Sequence, residues 1–178
     1  MLRPSSRGRR RLLAAAACLV VVVVALQAKL FLRPRVDRPS QTGLVVVLGN
    51  IYRGDRLELA RQLASKDREL LVVALHGCPP WFAHAFQGYA SVTCFSPSPE
   101  TTRGEARYAS EEARKHNLHD IMVITTSDQV TRARIRFERC FSGEVRVLKA
   151  PLSLWGQVKR VPYESLAMVK AEVFQRGC

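Results

Sequence analysis

Two apolar patterns divide the chain. The first is an unbroken run from Leu12 to Leu26. The second begins at Gly43, where short apolar runs alternate with segments of helical period. Gly43 to Gly49 (GLVVVLG) and Leu70 to Leu75 are continuously apolar, as strands buried on both faces of a parallel sheet are. Ser91 to Phe95, Ile121 to Thr125 and Val145 to Leu148 read as three further strands. Between and after them, Asp55–Ser65, Thr102–Asn117, Val130–Phe141 and Pro162–Phe174 carry apolar residues at helical spacing. Buried strands alternating with helices predict an α/β fold. Its core is a mostly parallel, Rossmann-like sheet of about five strands with helices on both faces. In such sheets the ligand crevice lies beyond the carboxyl ends of the strands, which is where candidate chemistry is sought.

The N-terminal run adds a second module. Arg3, Arg7, Arg9, Arg10 and Arg11 precede it, and Lys29-Leu30-Phe31-Leu32-Arg33 follow soon after. A basic stretch leading into an apolar one is an export signature. The positive-inside rule holds the arginines in the cytoplasm and sends the remainder across. The strictly apolar core has 15 residues, short of the ~20 that cross a bilayer; Leu30 to Leu32 extend it if Lys29 snorkels. The expected organisation is a basic cytoplasmic segment (1–11), a transmembrane signal anchor (12–32), a linker (33–42) and an extracytoplasmic domain (43–178). The linker, RPRVDRPSQT, has two prolines and no periodicity. A cleaved signal peptide and a lipoprotein acylated at Cys18 are the competing readings. No A-x-A site closes the run, and only six apolar residues precede Cys18.

Charge then changes less than it first suggests. The net charge is +13, but residues 1–38 hold nine Lys or Arg against one acid, Asp37, and so account for +8. The body is mildly basic and has no groove-reading motif, so nucleic acid is not an expected partner. The body also holds Cys78, Cys94, Cys140 and Cys178, with no CxxC and no clustered His. That spacing disfavours a metal site and, in an exported domain, suggests disulfides. Pairing Cys78 with Cys94 joins two neighbouring strand ends, and pairing Cys140 with Cys178 joins two helix ends. Four cysteines allow three pairings, and buried free thiols are the alternative.

The strand ends supply the candidate site. After the first strand, Gly49-Asn50-Ile51-Tyr52-Arg53-Gly54-Asp55-Arg56 is a Gly-containing turn into a helix. Its free N–H groups, with Arg53 and Arg56, suit an anion, although an ordinary βα loop has the same look. It is not GxGxxG, so the dinucleotide signal is weak and no cofactor is implied. After the third strand, Thr102 and Glu105 have capping-box spacing; the same position projects Thr102, Arg103 and Glu105 toward the crevice. After the fourth, Thr125-Thr126-Ser127-Asp128-Gln129 leads to Arg132, which suits a bidentate grip on phosphate or carboxylate. A capped helix start with solvated arginines is the plain alternative. His76 and His84 are taken as loop residues.

These segments, in this order, resemble the ElyC/SanA/YdcF family of bacterial envelope-associated proteins. The resemblance rests on the Val-Val-Leu-Gly strand end, Arg53-Gly54-Asp55-Arg56, the T-T-R-G-E-A of Thr101 to Ala106, and Val130-Thr131-Arg132-Ala133-Arg134. It covers roughly residues 43–175. It implies an anchored, outward-facing Rossmann-like domain linked to envelope integrity and to peptidoglycan or lipid-carrier metabolism, with S-adenosylmethionine binding in one branch. The chain departs from the family pattern at Gly49-Asn50-Ile51 and at Leu75-His76-Gly77. It departs again at Gln129, which stands where the motif has His. Glutamine donates and accepts hydrogen bonds but cannot shuttle a proton near neutral pH.

Two functional classes lead. One is a binding domain for an anionic small molecule or lipid-linked phosphate, using Gly49, Asn50, Arg53, Arg56, Thr102, Arg103, Thr126, Gln129 and Arg132. The other is a hydrolase or transferase acting on such an intermediate with Glu105 or Asp128 as base. A nucleotide- or S-adenosylmethionine-binding domain is a further alternative, and the export signature opposes a cytoplasmic nucleotide-cofactor enzyme. No GxSxG elbow and no defensible Cys–His arrangement appears. The membrane is the expected partner, and the oligomeric state is left open.

Overall fold

The computed structural model describes residues 6–49, 54–73 and 77–178. Asn50, Arg53 and His76, all weighed above, lie outside the described residues, as do residues 1–5 of the basic segment. The body forms one five-stranded sheet of β1 (Leu44–Val47), β2 (Glu69–Val73), β3 (Ser91–Phe95), β4 (Asp120–Thr126) and β5 (Glu144–Ala150). The order is β3-β2-β1-β4-β5 and every pair is parallel. The expected α/β architecture is therefore present. The strand order reverses between β1 and β4, which makes their carboxyl ends the natural crevice.

Alternation along the strands divides the core in two. Leu44, Val46 and Leu48 join Ile121, Val123 and Val147 on one face. There α4 (Thr102–Lys115) and α5 (Val130–Cys140) supply Ala106, Ala109, Ala113, Ala133 and Phe137. Val45 and Val47 join Leu70, Val72, Met122 and Ile124 on the other. That face is covered by Leu57 and Ala60 of α2 (Gly54–Gln62) and by Phe82 of α3 (Pro80–Ala85). The small alanines of α4 let its backbone approach the sheet, whereas bulky aromatics fill the wider gap beneath α3. Helix α3 was not expected from sequence: at 6 residues it is too short to show a period.

The last helix differs from expectation at its start. Helix α6 runs from Leu154 to Val169 and continues as a π-helical turn, Lys170–Phe174. Its N-cap is Ser153, whose Oγ accepts the Gly156 N–H at 3.1 Å. Pro162 lies inside the helix rather than at its first turn. A proline there removes one backbone donor, yet capping at Ser153 and side-chain ties along the helix carry it through.

At the N-terminus, α1 (Ser6–Gln27) and a π-helical turn, Ala28–Leu32, form a continuous helix. Among the described residues Gly8–Leu32 is the one helix long and apolar enough to cross a membrane. The side chains from Leu12 to Leu26 are exposed. The segment after it is not a loose linker. Asp37 donates its backbone N–H to the Val147 carbonyl (3.0 Å), and its carboxylate accepts the Val147 N–H (2.8 Å) and pairs with Arg134 (2.5 Å). It thereby covers the open edge of β5. Burial raises the Asp37 pKa, but the Val147 N–H and the Arg134 charge outweigh it and hold the carboxyl below its ordinary value. Phe31 is buried, and Thr131 donates to the Leu30 carbonyl at 2.7 Å. The foot of the helix is thus fixed to the domain.

Cys78 pairs with Cys94 and Cys140 with Cys178, at Cα–Cα separations of 5.3 and 4.7 Å; Cys18 is free on the exposed helix surface. The first bridge ties the loop after β2 to β3, and the second ties the C-terminal tail to α5. Peptide mapping of alkylated, unreduced protein is expected to recover these two linked pairs with only Cys18 alkylated. Recovery of all five cysteines alkylated would contradict them.

Candidate functional site

A crevice of about 340 Å³ opens at the carboxyl ends of the strands. Gly49 after β1, Thr102, Arg103 and Glu105 of α4, and Gln129 and Arg132 after β4 line it together. These six of the expected residues converge although they are spread over more than eighty positions of sequence. Val73, Pro97, Glu100 and Thr101 add to the lining from the ends of β2 and β3, and Arg136, Tyr163, Ala167, Lys170 and Gln175 from α5, α6 and the tail. Of the last five, only Arg136 left a sequence signal: it sits four residues after Arg132 and so shares its helix face.

Gly49 is where the sheet and site meet. Its φ is +75°, a left-handed conformation that side chains with a Cβ rarely adopt. A Cβ would also run into the Arg56 guanidinium. Its N–H points to Glu105 Oε1 at 3.2 Å. Arg56 itself is buried, donating to the Leu48 carbonyl and to Thr126 Oγ1. Arg56 and Thr126 therefore stitch the ends of β1 and β4 together beneath the crevice instead of lining it. A guanidinium filling the turn satisfies carbonyl and hydroxyl acceptors that the strand ends leave over.

The start of α4 corrects the capping box. Thr101, not Thr102, is the N-cap, its Oγ1 accepting the Gly104 N–H at 3.4 Å. A Cβ on Gly104 would strike the Pro99 carbonyl, so the Gly of T-T-R-G-E-A lets the first turn pack on the preceding loop. Thr102 is freed from capping, and its hydroxyl accepts from Arg132 at 2.6 Å. Glu105 is freed as well and turns to Gly49.

Arg132 is gripped by a residue absent from the sequence expectations. Its Nε and Nη2 donate to Oε2 and Oε1 of Glu164 on α6, at 2.8 and 3.1 Å. The fork expected to hold a ligand anion thus holds a carboxylate of the chain itself. Glu164 is 1% exposed. Burial raises its pKa against the lowering effect of Arg132, and the nearby Asp128 charge adds to the rise. Gln129 accepts from Thr125 Oγ1 at 3.1 Å and hydrogen-bonds Glu164. It is thus a clasp between β4 and α6. Glu164 is the acid nearest the middle of α6, but composition alone did not mark it.

Asp128 is displaced from its expected role. It is fully buried and pairs with Arg160 of α6 at 3.3 Å, and it does not line the crevice. A base must reach substrate, and Asp128 does not. Arg103 Nη2 donates to the Cys178 carbonyl at 2.6 Å, while its buried Nε has no partner among the described residues. Arg136 donates to the backbone and side-chain oxygens of Gln175. Burial, then the charges of Arg139, Arg103 and Arg132, disfavour the Arg136 charge. The crevice is therefore rich in positive charge, offset in part by Glu100 and Glu105 on its wall and by Glu164 paired with Arg132.

Glu105 is 7% exposed, and burial raises its pKa. The Gly49 N–H, Arg132, Arg56 and Thr102 pull it back only in part. The folded protein therefore holds this proton more tightly than the unfolded chain does. The resulting stability is complete below the ordinary value of 4.5 and is lost as pH rises through the higher folded value. Glu105→Gln is expected to match the wild type in melting temperature below that ordinary value. Above it the variant should gain steadily, by at most about 1.4 kcal/mol per pH unit. Melting curves across the acid-to-neutral range check this; a gap that does not change with pH would refute it.

No protein-family model matches this sequence, and neither a curated protein nor a solved structure matches it significantly.

Proposed function

We propose that this is a membrane-anchored envelope protein of the ElyC/SanA/YdcF kind. Its α/β domain faces outward and binds the anionic, phosphate-bearing group of a ligand of cell-wall or lipid-carrier metabolism. One observation carries the reading: Arg103, Arg132, Arg136 and Lys170, from α4, α5 and the end of α6, line a single crevice at the strand ends. Cations crowded together in this way repel one another, and a bound phosphate relieves that repulsion through charge-assisted hydrogen bonds. Glu164 on the Arg132 fork marks the geometry an oxyanion would take. The ligand displaces it from the fork, with Arg103, Arg136 and Lys170 beside it. The outward orientation is supported by the basic flank of the N-terminal helix and by two disulfides, which persist in oxidising compartments.

A hydrolase or transferase is the second reading, favoured by Glu105 alone. A buried carboxyl with a raised pKa, lining a cationic crevice, is suited to give or take a proton. Gln129 cannot share that work. In this reading Glu105→Gln abolishes turnover of a phosphate ester while leaving binding intact.

Thermal melting of the full chain in detergent separates these outcomes. Inorganic pyrophosphate or a short isoprenyl diphosphate, at about a hundredfold over its dissociation constant, is expected to stabilise by about 2.7 kcal/mol. Arg132→Ala should remove that shift. Glu164→Gln, which leaves the fork uncommitted, should tighten binding several-fold. No shift with either probe, or a shift untouched by Arg132→Ala, would rule the site out.

A further inference from the structure

Helix α6 is inside out for a water-soluble surface. Such a helix turns its apolar stripe inward. Here the inward side carries Glu164, paired with Arg132, and Arg160, paired with Asp128. The outward side carries Trp155, Leu166, Val169, Val173 and Phe174, with Leu166 73% and Phe174 77% exposed. No described element of the chain covers this face.

The neighbouring helix indicates what does. Gln27 Nε2 donates to Ser165 Oγ at 3.4 Å, and α6 packs on the Ala28–Leu32 turn. Gln27 directly follows Leu26, the last residue of the unbroken apolar run. The middle of α6 therefore lies beside the point where that run ends and the helix meets the domain. Interfacial helices bury their apolar faces about 5–10 Å into the headgroup and acyl boundary, the region an anchor passes through there. Lys159 and Lys170 border the face, with Lys159 Nζ 5.0 Å from the Trp155 ring centroid. Lysines and a tryptophan beside an apolar stripe complement an anionic headgroup layer. In a two-fold pair of copies the same patch meets itself, so the lysines would be brought together with no acid on the exposed stripe to offset them.

We propose that α6 and its π-helical extension dock on the bilayer, seated in the headgroup layer beside the foot of the N-terminal helix. Tyr163, Ala167 and Lys170 of this segment also line the arginine crevice. Docking therefore holds the crevice mouth at the lipid surface, where a phosphate still attached to its lipid can enter without leaving the membrane. This rests on the anchored, outward-facing reading given above and narrows its ligand class to lipid-borne phosphates.

The test uses the full chain with Trp81→Phe, which leaves Trp155 as the sole tryptophan. The protein is reconstituted in vesicles of equal parts phosphatidylcholine and phosphatidylglycerol. Trp155 emission is expected to be blue-shifted and quenched by lipids brominated near the top of the acyl chains. Adding Leu166→Asp and Val169→Asp should reduce the quenching several-fold while both disulfides persist. Water-like emission, open to iodide and untouched by brominated lipid, would overturn the proposal. A photo-crosslinking residue at position 166 gives a second readout. Lipid adducts support docking, whereas chain-to-chain adducts assign the face to a second copy and overturn it. Neither readout involves an anionic ligand, so loss of pyrophosphate binding with intact quenching strikes the crevice reading alone.

Discussion

A carboxylate buried to 1% exposure cannot stand without a counter-charge, and Arg132 closing on Glu164 ties α6 to the wall of the crevice. The arginine reaches from α5 to Glu164 on α6 and to Thr102 on α4. One guanidinium thus fixes three elements around the crevice. Removing one partner of such a buried pair costs about 3–5 kcal/mol, because the other is left charged in a dry place. The pair also sets the terms for any ligand. In the proposed function an incoming anion competes with Glu164 for the same fork, which would link binding to the seating of α6 through one side chain.

A second constraint lies beneath the first. The switch point between β1 and β4 leaves a left-handed Gly49, a buried Arg56 and a buried Glu105 in contact. Arg56 binds a carbonyl of one strand end and the Thr126 hydroxyl of the other, while Glu105 takes the Gly49 N–H. The floor of the crevice is therefore charged and hydrogen-bonded, yet closed. The same residue types that suggest catalysis are here used first to terminate strands. Only Glu105 retains both a raised pKa and a position on the crevice wall.

The apolar helix and the α/β domain are mechanically one piece. Phe31 is buried, Asp37 caps the edge of β5, and Gln27 reaches Ser165. A domain on a flexible tether samples all orientations above a bilayer, whereas a domain fixed at three points presents one side to it. In the proposed docking that side is α6, and the disulfide from Cys140 to Cys178 holds the tail that follows α6 against α5.

The sequence alone determined the alternation of strands and helices, because burial on both faces of a parallel strand demands unbroken apolar runs such as LVVV at Leu44–Val47. It determined the apolar helix and the strand-end segments that meet at the crevice, and it offered the cysteine pairing as one of three. It could not decide which charges face one another. Arg56 and Arg132 carry the same side chain and follow strand ends in similar fashion, yet one closes the floor and the other the wall. Thr101 and Thr102 are adjacent and alike, and only the packing of α4 on the Pro99 carbonyl makes one the cap and the other a partner of Arg132. The inward turn of Glu164 depends on a partner more than thirty residues distant. Local periodicity reports which side of a helix is apolar; what that side meets, water, protein or lipid, is fixed only when the chain has folded around it.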